Sequence, residues 1–513
     1  MPAIITDQFR ILNAETFAKS VTGIGTTSNF YYTFLAHPNP TNVSIEEYGD
    51  ANWETNTPDP RDSFQQENRY HDSLLFLNKI GINDFARIIP RINWSSGVTY
   101  DMYRDDYDIT NPAPQTSAKT LYESRFYVVN SEFKVYICIN NGAGPGGFEK
   151  GQPSQNEPTF VSTVPQKAGN GSDGYLWKYL YTISPADIVK FTTEKYIPLP
   201  PNWGDSNTAA VKDAAVRGRI ETVLINDRGS GYTAGTYNNI DILGDGAGGK
   251  VSIVVTGQQV ASVEVTSPGK DYTRGVINFT AAAGSGAVFE VVIPPKGGHG
   301  ADIYRELGSH RVMVYSKYDS SSDFISQNTF SRIGIVRNPT EYGSTTSILN
   351  TNTATSLGAL KLKPASAGVQ TSSTIYPINA EIRQTVGSGT SVAVGYVASW
   401  DRNTGVLRYY QPVGLSTISN NNFRNFDFEG NANAITCAAS AMSGPALVPD
   451  TSFTNVSSIS QSGKVVNLGQ TFILGKANPE VEKYSGDIIY IDNRAPISRS
   501  ESQKEEVKVV VEF

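Results

Sequence analysis

The segment GDGAGGK, residues 244–250, sets Gly244, Gly246 and Gly249 at the spacing of a dinucleotide-binding turn, and Gly244, Gly249 and Lys250 at that of a phosphate loop. Both chemistries need the glycine turn to lead into a helix whose N-terminus faces the anion, and the second also needs Ser or Thr after the lysine to hold magnesium. Here Val251 follows Lys250, and the next residues, VSIVV, have the β-branched character of a strand. The glycines are therefore read as turns between strands, where positive φ is required.

Other reactive side chains are as sparsely patterned. His37, His71, His299 and His310 lie at no zinc-binding spacing, and His299 stands in GGHG, read as a flexible turn, so the four are expected to be solvent-facing or structural. DDYDITN, residues 105–111, resembles a calcium loop without its sixth-position glycine or twelfth-position glutamate. No GxSxG or CxxC occurs, and a carboxylate pair for glycoside cleavage has no sequence marker. Cys138, inside the apolar run KVYICI, and the distant Cys437 are read as buried free thiols. No catalytic residue, metal ligand or cofactor is assigned.

The elements that hold these residues are expected to be strands. Only 18 % of the 513 residues are charged, below the roughly 25 % usual in soluble domains, while Gly, Ser, Thr, Asn and Tyr abound. A formal charge of −7 argues against direct nucleic-acid binding, which needs clustered Lys and Arg. No apolar run reaches the roughly 18–20 residues that cross a bilayer, and MPAIITDQFR lacks the marks of a signal peptide, so cytoplasmic synthesis without membrane insertion is expected.

Along the chain, residues 7–20 place Phe9, Leu12, Phe17 and Ala18 near helical spacing, and residues 72–80 form a second helix candidate. Residues 125–140 predict a hairpin turning at Asn130, Ser131 and Glu132. Residues 141–174 predict a long loop or arm of the kind that meets a partner, such that removing 143–158 leaves a folded protein that fails to join its partners. DGYLWKYLYTI, residues 173–183, alternates Tyr175, Trp177, Tyr179 and Tyr181 against other residues, which predicts a strand with one aromatic face.

Residues 220–233 repeat at 260–273. Ile220 and Val260, Val223 and Val263, Ile225 and Val265, Gly229 and Gly269, Tyr232 and Tyr272, and Thr233 and Thr273 match, and GDGAGG at 244 recurs as GSGAVF at 284. Residues 215–295 are thus read as an inserted β module of two units of about forty residues. A second inserted module, 343–475, centres on two strands around the turn Asp401 to Gly405, with the polar stretches near 415–443 and 449–464 read as irregular.

From DGYLWKYL onward the chain resembles the baseplate wedge proteins encoded by gene 8 of T-even-type contractile-tailed phages. Their Asp-Gly-Tyr-x-Trp-x-Tyr-Leu strand is matched by Asp173, Gly174, Tyr175, Trp177, Tyr179 and Leu180. IIPRINW at 88–94 supplies Pro90, Arg91 and Trp94 of a similar Ile-Pro-Arg-x-x-Trp segment, followed by YDMY at 100–103 and EKYIPLP at 194–200. IYREL at 303–307 and FSRIGIVRNPTE at 330–341, with Asn338 and Pro339, resemble the central strands. SGDIIYIDNRAPI at 485–497, with Gly486, Tyr490, Asn493, Arg494 and Pro496, precedes a terminal strand EVKVVVEF. The motifs keep the family's order over about half the chain, and the two inserts depart from it.

The resemblance implies a mainly β fold: a β-sandwich core of residues 1–214, 296–342 and 476–513, a few short helices and the two β-rich inserts. It implies a non-enzymatic virion component of the tail baseplate, homodimeric, that binds the wedge proteins encoded by genes 6, 7 and 10. Pro496 cannot donate to a ladder, so Arg494 is expected at a strand end or bulge beside a carboxylate. The alternative is a tail-associated, trimeric glycan-binding adhesin or spike that uses the 220–293 repeat; a glycan-cleaving enzyme is a more distant one.

Overall fold

The structure, a computed structural model, describes residues 4–23, 29–37, 55–145, 149–319, 328–365, 371–386, 391–412, 424–426, 433–437, 442–461, 463–499 and 503–513. It is mainly β, built from antiparallel sheets and a few helices. The chain gathers into two compact units, one of residues 1–18, 85–314 and 509–513, the other of 19–84 and 315–508.

In the first unit the strands Tyr127–Val129, Lys134–Asn141 and Tyr175–Thr182 form one sheet, and Phe85–Pro90, flanked by Tyr196–Pro198 and Arg311–Tyr318, belongs to another. Ile89 and Ile197 from the second sheet join Val128, Tyr136, Cys138 and Trp177 from the first in a single buried core. The hairpin forms as the sequence predicts, with Phe133 at φ 57° closing its turn.

The repeat module, within the same unit, has its own core around Tyr232, Tyr272, Val251 and Ile253. Its pairing exchanges strands between the two copies. Val223–Ser230 of the first copy pairs with Ser285–Val291 of the second, and Gln259–Lys270 of the second pairs with Ala247–Thr256 of the first. The turn joining those last two holds Gly257 at φ 62° and Gln258 at φ 64°, the two positive values that a twisted two-residue hairpin requires.

In the second unit, five strands lie in the order Thr353–Thr355, Leu74–Lys79, Tyr31–Ala36, Thr329–Arg337, Asp487–Ser498. A second sheet carries the hairpin Ser391–Asp401 and Val406–Tyr410, whose turn is fastened by the Asp401 carboxylate accepting from the Asn403 N–H and the Thr404 hydroxyl.

Four expectations change. Ile303–Glu306, expected within a central strand, is a short helix capped by Asp302. Residues 74–79 are a strand between two others, and the helix, Phe64–Asp72, precedes them with Ser63 as its N-cap; an apolar run this short does not distinguish strand from helix. The first helix is present as Asp7–Thr22, yet it buries Ile11 and Ala14 and leaves Phe9 and Leu12 about half exposed. Two stripes compete on that helix, and packing selected the smaller side chains. Within 449–464, Val456–Gln461 pairs with Lys464–Phe472 in a polar hairpin; most of 415–443 lies outside the described residues.

Candidate functional site

The signature residues of the first unit converge on the loop before Tyr175–Thr182. Asp173 is buried, and its Oδ2 accepts from the backbone N–H groups of Gln155 (2.8 Å) and Asn156 (3.2 Å), while Oδ1 accepts from that of Tyr175 (3.2 Å). Gly174 sits at φ +76°, where a Cβ would stand 3.0 Å from the Cα of Gly142. A side chain there would be strained by the positive φ and would crowd the second backbone segment.

Tyr175 stacks on Trp177 with centroids 5.1 Å apart, and Tyr100 meets both rings edge-on. The Tyr175 hydroxyl accepts from the Tyr100 N–H at 2.9 Å. Trp177 exchanges both backbone hydrogen bonds with Gln166, so the loop is bound back onto the strand it precedes. The Trp94 indole N–H donates to Ser154 Oγ at 3.0 Å, and Ser154 exchanges backbone bonds with Gly97 and Val98. Pro90 accepts from the Tyr127 hydroxyl through its carbonyl, and Arg91 donates to Asn93 Oδ1 and the Thr193 carbonyl.

These contacts revise the reading of residues 141–174 as an arm free to wrap a neighbour. Ser154 is fully buried and Asp173 depends on the residues beside it, so excising 143–158 removes internal bracing. The single aromatic face also changes. Pairing irregularities at Val135/Tyr136 and Cys138/Asn140 shift the alternation, burying Lys178 and Leu180 and leaving Tyr179 half-buried with its hydroxyl on Thr182. Lys178 donates to the Thr163 carbonyl at 2.7 Å, and burial lowers the pKa of its amine.

The other signature residues lie in the second unit. Asn338, at φ 51°, accepts from the Phe30 N–H and donates to Asn29 Oδ1. Gly486, at φ +76°, passes so close that a Cβ would stand 2.6 Å from the Arg337 carbonyl oxygen and 2.8 Å from the nitrogen of Pro339. Tyr490 pairs with Ile335, and Asn493 bridges from Arg332 Nε to the Pro58 carbonyl. Arg494 is 61 % exposed and donates to Asp492 Oδ2 at 2.7 Å. The ladder does not end there: Arg332 faces Asn493 and Phe330 faces Ile497, so the strand bulges through Pro496 and pairs again.

All four histidines are buried. His299, expected in a flexible turn, is buried with Nδ1 2.6 Å from Glu306 Oε1. His37 stacks on Tyr410, His310 lies 3.3 Å from Glu512, and burial lowers His71 to about 4 despite the opposing charge of Asp487. Cys138 and Cys437 are free thiols. Among the described residues, no three His, Cys, Asp or Glu side chains gather as a metal site. Asp108 of the calcium-like loop is turned onto the Thr110 and Asn111 N–H groups.

No family model and no curated protein matches this chain.

The glycine segment opens the strand Ala247–Thr256, and Lys250 is paired with Asp241 at 2.6 Å. Positive φ explains Gly248, Gly284 and Gly286, but Gly244, Gly246 and Gly249 serve close approach: a Cβ on Gly246 would lie 2.4 Å from the Tyr272 ring, and one on Gly249 2.8 Å from its hydroxyl. That hydroxyl accepts from the Gly249 N–H and donates to the Ile242 carbonyl. A cleft of about 620 Å³ does open beside the module, lined by the equivalent pairs Val223 and Val263, Ile225 and Val265. Arg228 spans one side of it, donating to the carbonyls of Pro145, Val260 and Ala261.

Sequence reasoning missed Asp101, fully buried within YDMY. Its carboxylate accepts from the Gln115 N–H, the Thr116 hydroxyl and the Arg125 N–H. Only the company of a similar motif marked that position; an aspartate between aromatic residues carries no loop-binding signal by itself.

Proposed function

We propose that this chain is a non-enzymatic structural subunit of the baseplate wedge of a contractile phage tail, assembling with itself and with the neighbouring wedge proteins encoded by genes 6, 7 and 10. The observation that carries the reading is the use made of the family-signature residues. Asp173, Tyr175, Trp94, Asn338, Gly486 and Asn493 fasten loops and strands to one another, and of the signature set Gly174 alone borders the 620 Å³ cleft. Residues kept for bracing suit a protein whose work is to hold a shape between neighbours.

A surface for such a neighbour is available on Asp487–Ser498. Among the described residues it is the last strand of its sheet, twelve residues long, with Ile489 43 % and Ile497 39 % exposed and the Ile488 N–H directed to Glu67. A long edge of this kind offers unpaired ladder groups to another chain.

The test is the mass of the purified protein by light scattering across a concentration series. A stable mass of twice 55.6 kDa, followed by co-assembly with the three wedge partners, supports the reading. A stable trimer that ignores those partners transfers the assignment to a tail spike or adhesin. A monomer at every concentration that binds none of them overturns it.

A further inference from the structure

A second cavity, of about 460 Å³, lies in the first unit, away from the signature braces, within the ~300–1,000 Å³ typical of small-ligand sites. Tyr103 is 5 % exposed and lines it, yet among the described residues its hydroxyl has no hydrogen-bond partner. The hydroxyl itself is not among the fully buried unpaired polar atoms, so it is the part of the side chain that opens on the cavity and can donate to a ligand. Its ring stands edge-on to His299 at 4.7 Å, so its position is fixed by packing.

The rest of the lining is equally well supported. Glu306 is held by His299 Nδ1 at 2.6 Å and by the Gly300 N–H at 2.7 Å. Tyr122 is fixed by donating to the Arg305 carbonyl and accepting from Gln8. Asp302 caps the N–H groups of Tyr304 and Arg305, and the Arg305 guanidinium lies 3.5 Å from its other oxygen. Lys296 lines the same cavity and has no partner among the described residues. Burial first, then the Glu306 charge, raises the Tyr103 phenol well above its usual range, so it remains a hydrogen donor at neutral pH.

We propose that this cavity binds a small hydroxylated carboxylic acid of the sugar-acid class. Lys296, the unpaired cation of the lining among the described residues, suits a single carboxylate, whereas Arg305 already lies beside Asp302, and the carboxylates of Asp302 and Glu306 disfavour a doubly charged phosphate. Asp302 accepts from ligand hydroxyls, and Tyr103 donates to a ligand oxygen. This site rests on neither the wedge nor the adhesin reading: Tyr103, Arg305 and Glu306 stand in segments that resemble the wedge family, but the site depends only on their geometry.

The experiment is titration calorimetry with ligand-observed NMR on the full chain, using D-glucuronate and D-galacturonate as probes and D-glucose as the neutral counterpart. Saturable binding of at least one acid, with glucose about tenfold weaker, is expected. Tyr103→Phe, which keeps the ring and its packing, weakens the acid about tenfold, the loss of one hydrogen bond. The double variant Lys296→Ala with Arg305→Ala removes the preference for acid over glucose. The proposal fails if neither acid saturates by about 10 mM, if glucose binds as well, or if Tyr103→Phe leaves affinity unchanged while its melting curve matches the parent.

Discussion

Replacing Asp173 by alanine tests whether the segment before the central aromatic strand is held or free. The carboxylate accepts from three backbone N–H groups, those of Gln155, Asn156 and Tyr175. A hydrogen bond to a charged group contributes roughly 1.5–3 kcal/mol, and a buried donor left unpaired costs about 1–3 kcal/mol. Gln155 and Asn156 reach water, so their amides recover much of their loss, whereas that of Tyr175 is buried. The expected destabilisation is therefore about 3 kcal/mol. At about 2–4 °C per kcal/mol for units of 150–250 residues, the transition of the first unit falls by roughly 6–12 °C in scanning calorimetry. Hydrogen exchange adds location: amides of residues 152–158 lose protection first, while the repeat module keeps its own. Asp173→Asn retains one acceptor oxygen and loses less. Unchanged exchange over 152–158, together with a transition within about 1 °C of the parent, refutes the bracing role.

Two further outcomes are expected. His71 is buried and its pKa is lowered from 6.5 to about 4, so the unfolded chain takes up the proton first as pH falls. Its contribution is complete above about pH 6.5 and is lost down to about pH 4, a decline of about 3 kcal/mol that His71→Phe abolishes in denaturant titrations at matched pH. Gly486→Ala places a Cβ against the Arg337 carbonyl at positive φ, so thermal melts report a loss of about 3 kcal/mol and exchange quickens in Thr329–Arg337.

Much of the β content was legible from local pattern. The hairpin around Asn130, the strand after Lys250 and the Asp401 turn follow from alternation and turn residues alone. The repeat was visible as matched residues, but the exchange of strands between its copies was not, because identical local patterns are compatible with pairing inside a copy or across copies. Leu74–Lys79 was misread because four apolar residues in succession have no period. The acceptor role of Asp173 was invisible for a different reason: its partners are main-chain N–H groups, which every residue supplies, so no side-chain identity at 155 or 156 announces them. The cavity at Tyr103 draws on residues from 103 to 306, and only folding brings them together.

The exchanged strands of the repeat module bear on how such a chain could have grown. A single forty-residue copy would keep its first strand and its last while lacking the partners that both have here, and would have to pair them anew, within itself or with a second molecule. Duplication within one chain removes that need, because each copy supplies what the other lacks. The arrangement also brings the module's entrance and exit together: Val223 faces Val291 across the ladder, and the Val292 N–H donates to the Thr222 carbonyl. Neighbouring strands run about 5 Å apart, so a host loop need open by little more than one strand spacing to accept the module. Gain, loss or transplantation of the whole insert thus asks little of the backbone that carries it, and its cost falls on the side-chain contacts between the two, such as Arg228 with the Pro145 carbonyl and Leu224 in the neighbouring core.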